Sequence, residues 1–207
     1  MIRENTKDEI IAIWDNYVAD NKKVHDARGN DLGDIDNNRL DAIKILQTII
    51  ADFLNDRLAL GAFKTDIDSY NKQHNLWGFT AVKGQMFFNQ LTKYSDANPD
   101  SLTQLLKAVL HEPADLKDAL NKIEKLEKYC ATIFAKAKDK RKAPNPKSVG
   151  YFLSYFWQIH NHEKWPVLYS SIILSFTDIG LWAEPSSQKE GYDNFYNLNE
   201  EVKEIYS

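Results

Sequence analysis

The chain has 207 residues, of which 43% are hydrophobic and 12% aromatic, and its formal net charge is -4. This composition is typical of a soluble globular protein and excludes a disordered chain or a polycation. The one cysteine, Cys130, excludes a disulfide framework and a zinc module with several cysteine ligands. Charges interrupt residues 1–14 and no segment has the length of a membrane span, so we expect a cytoplasmic protein that does not bind membranes.

The predicted elements are helices, because apolar residues recur at steps of three and four. The first helix, over about residues 6–19, is predicted to begin at Thr6 in a capping box with Glu9. Its apolar face carries Ile13 and Trp14, which we expect to be buried.

A loop rich in Asp, Asn and Gly is predicted over residues 25–38. A helix over about residues 38–60 follows, with Leu40 on its inner face and Gly61 as its C-cap. A shorter helix is predicted over residues 62–73.

The next aromatic sequence, Trp77-Gly78-Phe79, predicts a turn that places two rings in the core. A helix over about residues 83–94 is expected to bury Met86, and another helix is predicted to start at Asn98. The longest predicted helix runs from Pro113 to about residue 140, and its apolar stripe predicts a buried structural thiol at Cys130.

A second aromatic block covers residues 148–176, and its first helix is apolar nearly all round, which predicts the central buried helix. Another helix is predicted to begin at Trp165-Pro166, and an amphipathic helix over residues 188–206 ends the pattern. The predicted fold is therefore all-α, a compact bundle of about eight or nine helices in a single domain of residues 1–207. A division of the chain near residues 144–146 stays open as the alternative.

The chemical motifs exclude more than they indicate. Neither GxxxxGK[ST] nor GxGxxG occurs, so we expect no self-contained nucleotide hydrolase and no cofactor. His160, His162 and Glu163 form the one histidine-rich cluster, for which solvated or capping roles are favoured over an anion, base or metal contact. Two nuclease-like triplets, at residues 115–117 and 201–203, lie in helical stretches and are rejected.

The strongest electrostatic feature lies between residues 121 and 147, where nine Lys or Arg accompany three acidic residues. The candidate nucleic-acid-binding residues are Lys136, Lys138, Lys140, Arg141, Lys142 and Lys147. Such a cluster is typical of phosphate contacts, and the alternative is a solvated helix end whose cations complement the helix dipole. Nearby rings could stack on bases, although core packing is favoured for most of them: Tyr151, Tyr155, Trp157 and Tyr169.

Two sequence blocks carry a family resemblance. WGFTAVKGQMFFNQL (residues 77–91) and GYFLSYFWQIHNHEKWPVLYSS (residues 150–171), closed by residues 180–182 and 192–196, resemble the helical N-terminal region of McrB-like AAA-type ATPases of bacterial restriction systems. The resemblance covers about residues 60–207. It implies a target-recognition role beside a AAA-type motor domain or subunit and a separate nuclease. The Walker motifs of the motor are absent, so the resemblance transfers no ATPase or GTPase activity to these residues.

The resulting hypothesis is a non-catalytic, DNA-binding recognition module of a McrB-like anti-phage ATPase. The alternative is a protein-binding adaptor without affinity for nucleic acid, which an exposed aromatic patch around Trp157 and Trp165 would favour. An enzyme that uses the cluster of His160, His162 and Glu163 is the third hypothesis.

Overall fold

The computed structural model describes residues 2–20, 23–25, 29, 31, 33–94 and 99–205. Across these residues the chain forms nine α-helices and no strand, which confirms the all-α prediction. The helices are α1 (Glu4–Ala19), α2 (Ile35–Leu54), α3 (Leu60–His74), α4 (Phe87–Tyr94), α5 (Pro99–Leu110), α6 (Leu116–Lys136), α7 (Val149–His160), α8 (Ser170–Asp178) and α9 (Gln188–Ile205). A π-helical turn (Val82–Met86) precedes α4, and two 3₁₀ turns (Lys140–Lys142 and Pro146–Ser148) connect α6 with α7.

The central helix is α7, as its nearly continuous apolar sequence predicts. Ten of its twelve residues are buried, among them Phe152 and Phe156. It packs against α2, α3, α4, α5, α6 and α9. A helix that is apolar on every side must be covered on every side. The helices that cover α7 come from both earlier and later parts of the chain. One buried cluster therefore includes residues on both sides of positions 144–146.

The turn at Trp77-Gly78-Phe79 places both of its rings in the core, as predicted. Gly78 adopts a φ of +65°, a left-handed conformation that suits glycine. Phe79 is fully buried, and its ring centroid lies 4.3 Å from that of Tyr155 on α7. The two aromatic blocks thus pack against each other.

The predictions for α1 are wrong in two respects. The helix begins at Glu4, and Thr6 lies inside it as a buried residue without a capping hydrogen bond. The expected inner face is exposed, since the exposed fractions of Ile13 and Trp14 are 65% and 41%. Because α1 packs on α9 by the side that carries Thr6, its apolar stripe does not choose the buried face.

The end of α2 also differs from the prediction. The helix stops at Leu54, because Asp56 adopts a left-handed φ of +61° and the amide of Arg57 bonds to the Asp52 carbonyl oxygen at 2.9 Å. Gly61 therefore does not cap α2 and is the second residue of α3.

Two predicted helix starts are wrong because other side chains cap or tie the backbone. The α6 helix begins after Asp115, whose carboxylate accepts the Asp118 amide at 2.7 Å, so Pro113 lies outside the helix. The segment after Trp165 is not helical, because the Leu168 amide donates to Ser154 Oγ at 3.0 Å, and α8 begins at Ser170.

The burial of several single residues can also be compared with the sequence predictions. Leu40 and Met86, both expected inside, are exposed. Cys130 is fully buried as predicted, and burial raises the pKa of its thiol. The predicted helix start at Asn98, the last residue of the predicted α9 and part of the predicted loop over residues 25–38 lie outside the described residues. Within the described residues, no helix has both the length and the apolar character needed to cross a membrane.

Candidate functional site

The six cations predicted to contact nucleic acid lie at the end of α6 and on the segment that follows it. All are exposed, and together they are called the basic surface: Lys136, Lys138, Lys140, Arg141, Lys142 and Lys147. Two carboxylates form ion pairs with members of the basic surface, those of Asp139 and Glu184. Six cations against two carboxylates leave an excess of four positive charges at this surface.

Backbone contacts hold the basic surface against the helical body. Ala143 and Pro144 are buried, which fixes the middle of the segment. Gln90 of α4 donates a hydrogen bond from Nε2 to the Arg141 carbonyl oxygen at 2.9 Å. Lys140 donates from Nζ to the carbonyl oxygens of Phe134 and Ala135, the latter at 2.9 Å, and so binds the free carbonyls at the end of α6. The cations are therefore presented on an ordered segment.

The charges of the basic surface are unevenly neutralised. Asp139 accepts from Arg141 Nε at 3.2 Å and lies 3.9 Å from Lys142 Nζ, and hydrogen bonds from Arg141 lower the pKa of this carboxyl. Lys136 and Lys138 make no ion pair within the described part of the chain. The helix-end alternative thus describes both Lys140 and Lys136, which lies in the last turn of α6. Lys136 and Lys138 nevertheless have no described carboxylate that neutralises their charge.

Two of the cations earlier on α6 are paired along the helix. Lys122 contacts Asp118 at 3.0 Å, and Lys128 contacts Glu124 at 2.5 Å. Hydrogen bonds from Lys128 and Lys189 lower the pKa of Glu124 to about 2. Lys122 and Lys128 are therefore neutralised by ion pairs, as the sequence indicates. Lys125 is exposed and makes no ion pair within the described residues, so unpaired positive charge also lies before the basic surface.

The rings considered for base stacking are in the core or face a different cavity. Tyr151, Tyr155 and Trp157 are buried, and the Trp157 Nε1 donates to the Val109 carbonyl oxygen at 2.9 Å. Trp165 is fully buried too, so the aromatic patch expected around Trp157 and Trp165 is not exposed. None of these buried rings is therefore available for base stacking at the basic surface.

The cluster of His160, His162 and Glu163 does not form a metal site. His160 is half-buried, its Nε2 lies 2.9 Å from the Leu110 carbonyl oxygen at the end of α5, and burial lowers the pKa of its imidazole. His162 and Glu163 are exposed. The described residues contain no group of three His, Cys, Asp or Glu side chains placed to hold a metal ion. The contact with Leu110 is the capping role that the sequence favours.

Sequence reasoning missed a second candidate region. Arg39, Lys83 and Tyr169 line two adjoining cavities on the other side of the Trp77 turn. These side chains come from α2, the π-helical turn and the residue before α8. No motif or fixed spacing links positions so far apart, so the sequence held no signal for this site.

Comparison with known proteins adds no relative. No protein-family model, no curated protein and no solved structure matches this chain. The resemblance of residues 77–91 and 150–171 to McrB-like proteins therefore stays a prediction from the sequence, and the functional conclusion depends on the surfaces described above.

Proposed function

We propose that this chain is a non-catalytic recognition module that binds DNA through its basic surface. In this proposal it serves a McrB-like restriction ATPase in the bacterial cytoplasm, next to a AAA-type motor domain or subunit and a separate nuclease. The observation that carries the proposal is that Lys136 and Lys138 are exposed and have no carboxylate partner in the described part of the chain. Such cations release counterions from DNA when they neutralise phosphates.

The buried rings decide the expected mode of binding. Contacts to phosphates position a protein on DNA but carry no sequence information by themselves. Because Tyr151, Tyr155 and Trp157 are inside the core, base stacking by these rings is not part of the proposal. Binding is therefore expected to depend strongly on salt and weakly on sequence.

The test replaces three lysines of the basic surface in one variant, Lys136→Gln, Lys138→Gln and Lys142→Gln. Lys140 and Arg141 stay unchanged, because Lys140 binds the end of α6 and Arg141 pairs with Asp139. Fluorescence anisotropy with labelled duplex and single-stranded DNA at about 50 and 200 mM salt measures the affinity. We expect the variant to bind at least about tenfold more weakly at low salt, with a salt slope smaller by about 1 for each lost phosphate contact.

A matched control removes the same charge elsewhere. Lys44→Gln, Lys72→Gln and Lys117→Gln change three exposed lysines on α2, α3 and the first turn of α6. We expect the control to keep its affinity within about twofold. Equal losses in the two variants, or no binding of either probe at low salt, would contradict the proposal.

A protein-binding adaptor is the second candidate, and α1 is the element that favours it. Its apolar residues Ile13, Trp14 and Val18 are exposed although the helix is amphipathic in sequence. An exposed apolar face of this kind is typical of protein interfaces. The adaptor is selected if neither DNA probe binds at low salt and Ile13→Ser abolishes binding to a purified motor subunit.

A further inference from the structure

Two adjoining cavities lie between α2, the Trp77 turn and the segment that leads into α8. Their volumes are about 430 and 480 Å³, and both are lined by Arg39, Trp77 and Tyr169. These shared residues make the cavities one continuous feature, which we call the Arg39–Lys83 groove. Its size is that of a site for a small organic molecule.

Two cationic side chains line the groove. Arg39 is fixed by hydrogen bonds from Nε to the Leu76 carbonyl oxygen at 2.9 Å and from Nη1 to Asp36 at 3.4 Å, which leave its Nη2 group available. Lys83 is half-buried and donates from Nζ to Ser170 Oγ at 2.8 Å. Lys83 makes no ion pair within the described residues. The charge of Lys83 is thus held inside the groove with no described carboxylate in contact, whereas the charge of Arg39 is paired with Asp36, which also lines the groove.

The pKa of Lys83 reflects its position in the groove. Burial lowers the pKa of its ammonium group, and the carboxylate of Glu184 acts in the opposite direction. Glu184 is itself exposed and lies 3.8 Å from Lys147. An anion bound next to Lys83 would therefore supply the close partner that the protein does not.

The first turn of α8 opens into the same part of the groove. Ser170 and Ser171 line the cavity that holds Lys83, and Tyr169, the residue before the helix, provides no side-chain cap. The backbone amides of residues 170, 171 and 172 donate to no group in the described part of the chain, whereas the Ile173 amide already bonds to the Tyr169 carbonyl oxygen. Free amides at a helix start favour an anion.

Two residues that line the groove each carry a buried polar atom without a partner. The Tyr169 hydroxyl and Gln158 Oε1 are buried and make no hydrogen bond within the described residues. Burial raises the pKa of the Tyr169 hydroxyl to about 12, with Arg39 acting to lower it, so the group is a proton donor at neutral pH. A buried donor or acceptor without a partner destabilises the fold, so a bound molecule that pairs with these atoms gains affinity from them.

We propose that the Arg39–Lys83 groove binds an organic phosphate monoester of about mononucleotide size. The phosphate lies between Lys83 and the first turn of α8, where an ammonium group and free amides converge. Arg39 and the Tyr169 hydroxyl contact it from the shared wall. The organic part extends past Tyr169 into the second cavity, where the Gln158 amide pairs with its polar edge. This site is separate from the basic surface and is not required by the proposed DNA binding.

The test measures binding of three probes by isothermal titration calorimetry: inorganic phosphate, AMP and adenosine. We expect AMP to bind at least about tenfold more tightly than adenosine, which lacks the phosphate, and inorganic phosphate to compete with AMP. Lys83→Gln should weaken both AMP and inorganic phosphate by at least about tenfold, and Lys83→Arg should restore part of the loss. Gln158→Leu should weaken AMP and leave inorganic phosphate unchanged, because it lies at the other end of the groove.

The matched control is Lys142→Gln, which removes an exposed lysine of the basic surface. It should leave AMP affinity within about twofold of the unchanged protein. Failure of both AMP and inorganic phosphate to bind at about 10 mM, or equal affinity for AMP and adenosine, would overturn the proposal. Equal affinity for AMP and inorganic phosphate would overturn the placement of the organic part. DNA binding is measured separately, so either proposal can fail alone.

Discussion

The interior around α7 and the Arg39–Lys83 groove differ in whether their buried polar side-chain atoms have hydrogen-bond partners. In the interior, the Tyr155 hydroxyl lies 2.8 Å from Asn71 Nδ2, and the Tyr151 hydroxyl donates to the Trp77 carbonyl oxygen at 2.8 Å. In the groove, the Tyr169 hydroxyl and Gln158 Oε1 have no partner in the described part of the chain. Polar groups inside a core are normally paired because an unpaired one is costly.

This difference in hydrogen-bond pairing favours the groove over the interior as a place where a ligand binds. The third buried side-chain atom without a partner among the described residues is Asp68 Oδ1, and the other oxygen of that carboxylate pairs with Lys64 at 2.6 Å. Tyr169 and Gln158 have no such second contact. An interior built for packing pairs its polar atoms internally, whereas in our proposal the unpaired atoms of Tyr169 and Gln158 are paired by the bound phosphate monoester.

The largest expected effect tests how tightly the interior is packed. Gly84→Ala places a Cβ atom against the carbonyl group of Phe79, 2.9 Å from its carbon atom, where the backbone cannot move aside. We expect the free energy of unfolding to fall by about 3 kcal/mol. Urea denaturation followed by circular dichroism measures it.

The matched control for this substitution is Gly61→Ala in α3, where an added Cβ atom meets nothing within 4 Å. The free energy of unfolding should stay the same or rise by up to about 1 kcal/mol, because alanine favours a helix. If the two variants lose stability equally, the close approach at Gly84 is not a packing constraint.

The next largest effect tests the hydrogen-bonded Tyr155–Asn71 pair of the interior. Tyr155→Phe leaves the buried Asn71 amide without its hydroxyl partner. We expect the free energy of unfolding to fall by about 1–3 kcal/mol, measured by the same denaturation experiment. A loss well below this range would mean that the Tyr155–Asn71 pair does little for the stability of the interior.

The same change in the groove should act differently. Tyr169→Phe removes a buried hydroxyl that has no partner in the described residues, so the free energy of unfolding should stay constant or rise by up to about 1 kcal/mol. The variant should also bind AMP more weakly. A clear loss of stability in Tyr169→Phe would show that the groove is packed like the interior.

The smallest effect concerns a half-buried histidine at the end of α7. Burial lowers the pKa of His160 below that of the unfolded chain, while Glu112 raises it and Lys122 lowers it. The unfolded state therefore binds more protons as the pH falls below about 6.5, so this stability is present above that pH and is lost below it. We expect the thermal midpoint to fall between about pH 7.5 and pH 5.5, and to fall less in His160→Gln. His162→Gln removes an exposed imidazole instead and should keep the pH dependence of the original protein.

The helices were predictable where composition alone decides the structure. The apolar α7 and the Trp77 turn follow from their residues, because so many rings have no place except the core. Helix ends were less predictable. Gly61 suits both a helix end and a first turn, and only the left-handed Asp56 and the contacts of Asp52 settle which it is. The buried face of α1 depends on how it docks on α9, which its own sequence does not contain.

The two candidate sites also differ in how far the sequence predicts them. The basic surface was predictable because its cations lie within twelve residues of one another in the sequence, although the Lys140 contacts with the end of α6 were not. The Arg39–Lys83 groove could not be predicted, since folding alone brings Arg39, Lys83 and Tyr169 together. Pairing of a hydroxyl is a property of the tertiary structure, so nothing in the sequence marks Tyr169 as unpaired.

The position of α7 has a consequence for how the protein is made. Trp157 of α7 packs its ring 5.5 Å from that of Tyr192 on α9, and α9 is the last helix described. On the ribosome, α7 is synthesised before the helix that covers it. An apolar segment that waits for its cover is prone to aggregate, so we expect aggregation of the newly made chain to be most favoured in the interval between the synthesis of α7 and that of α9.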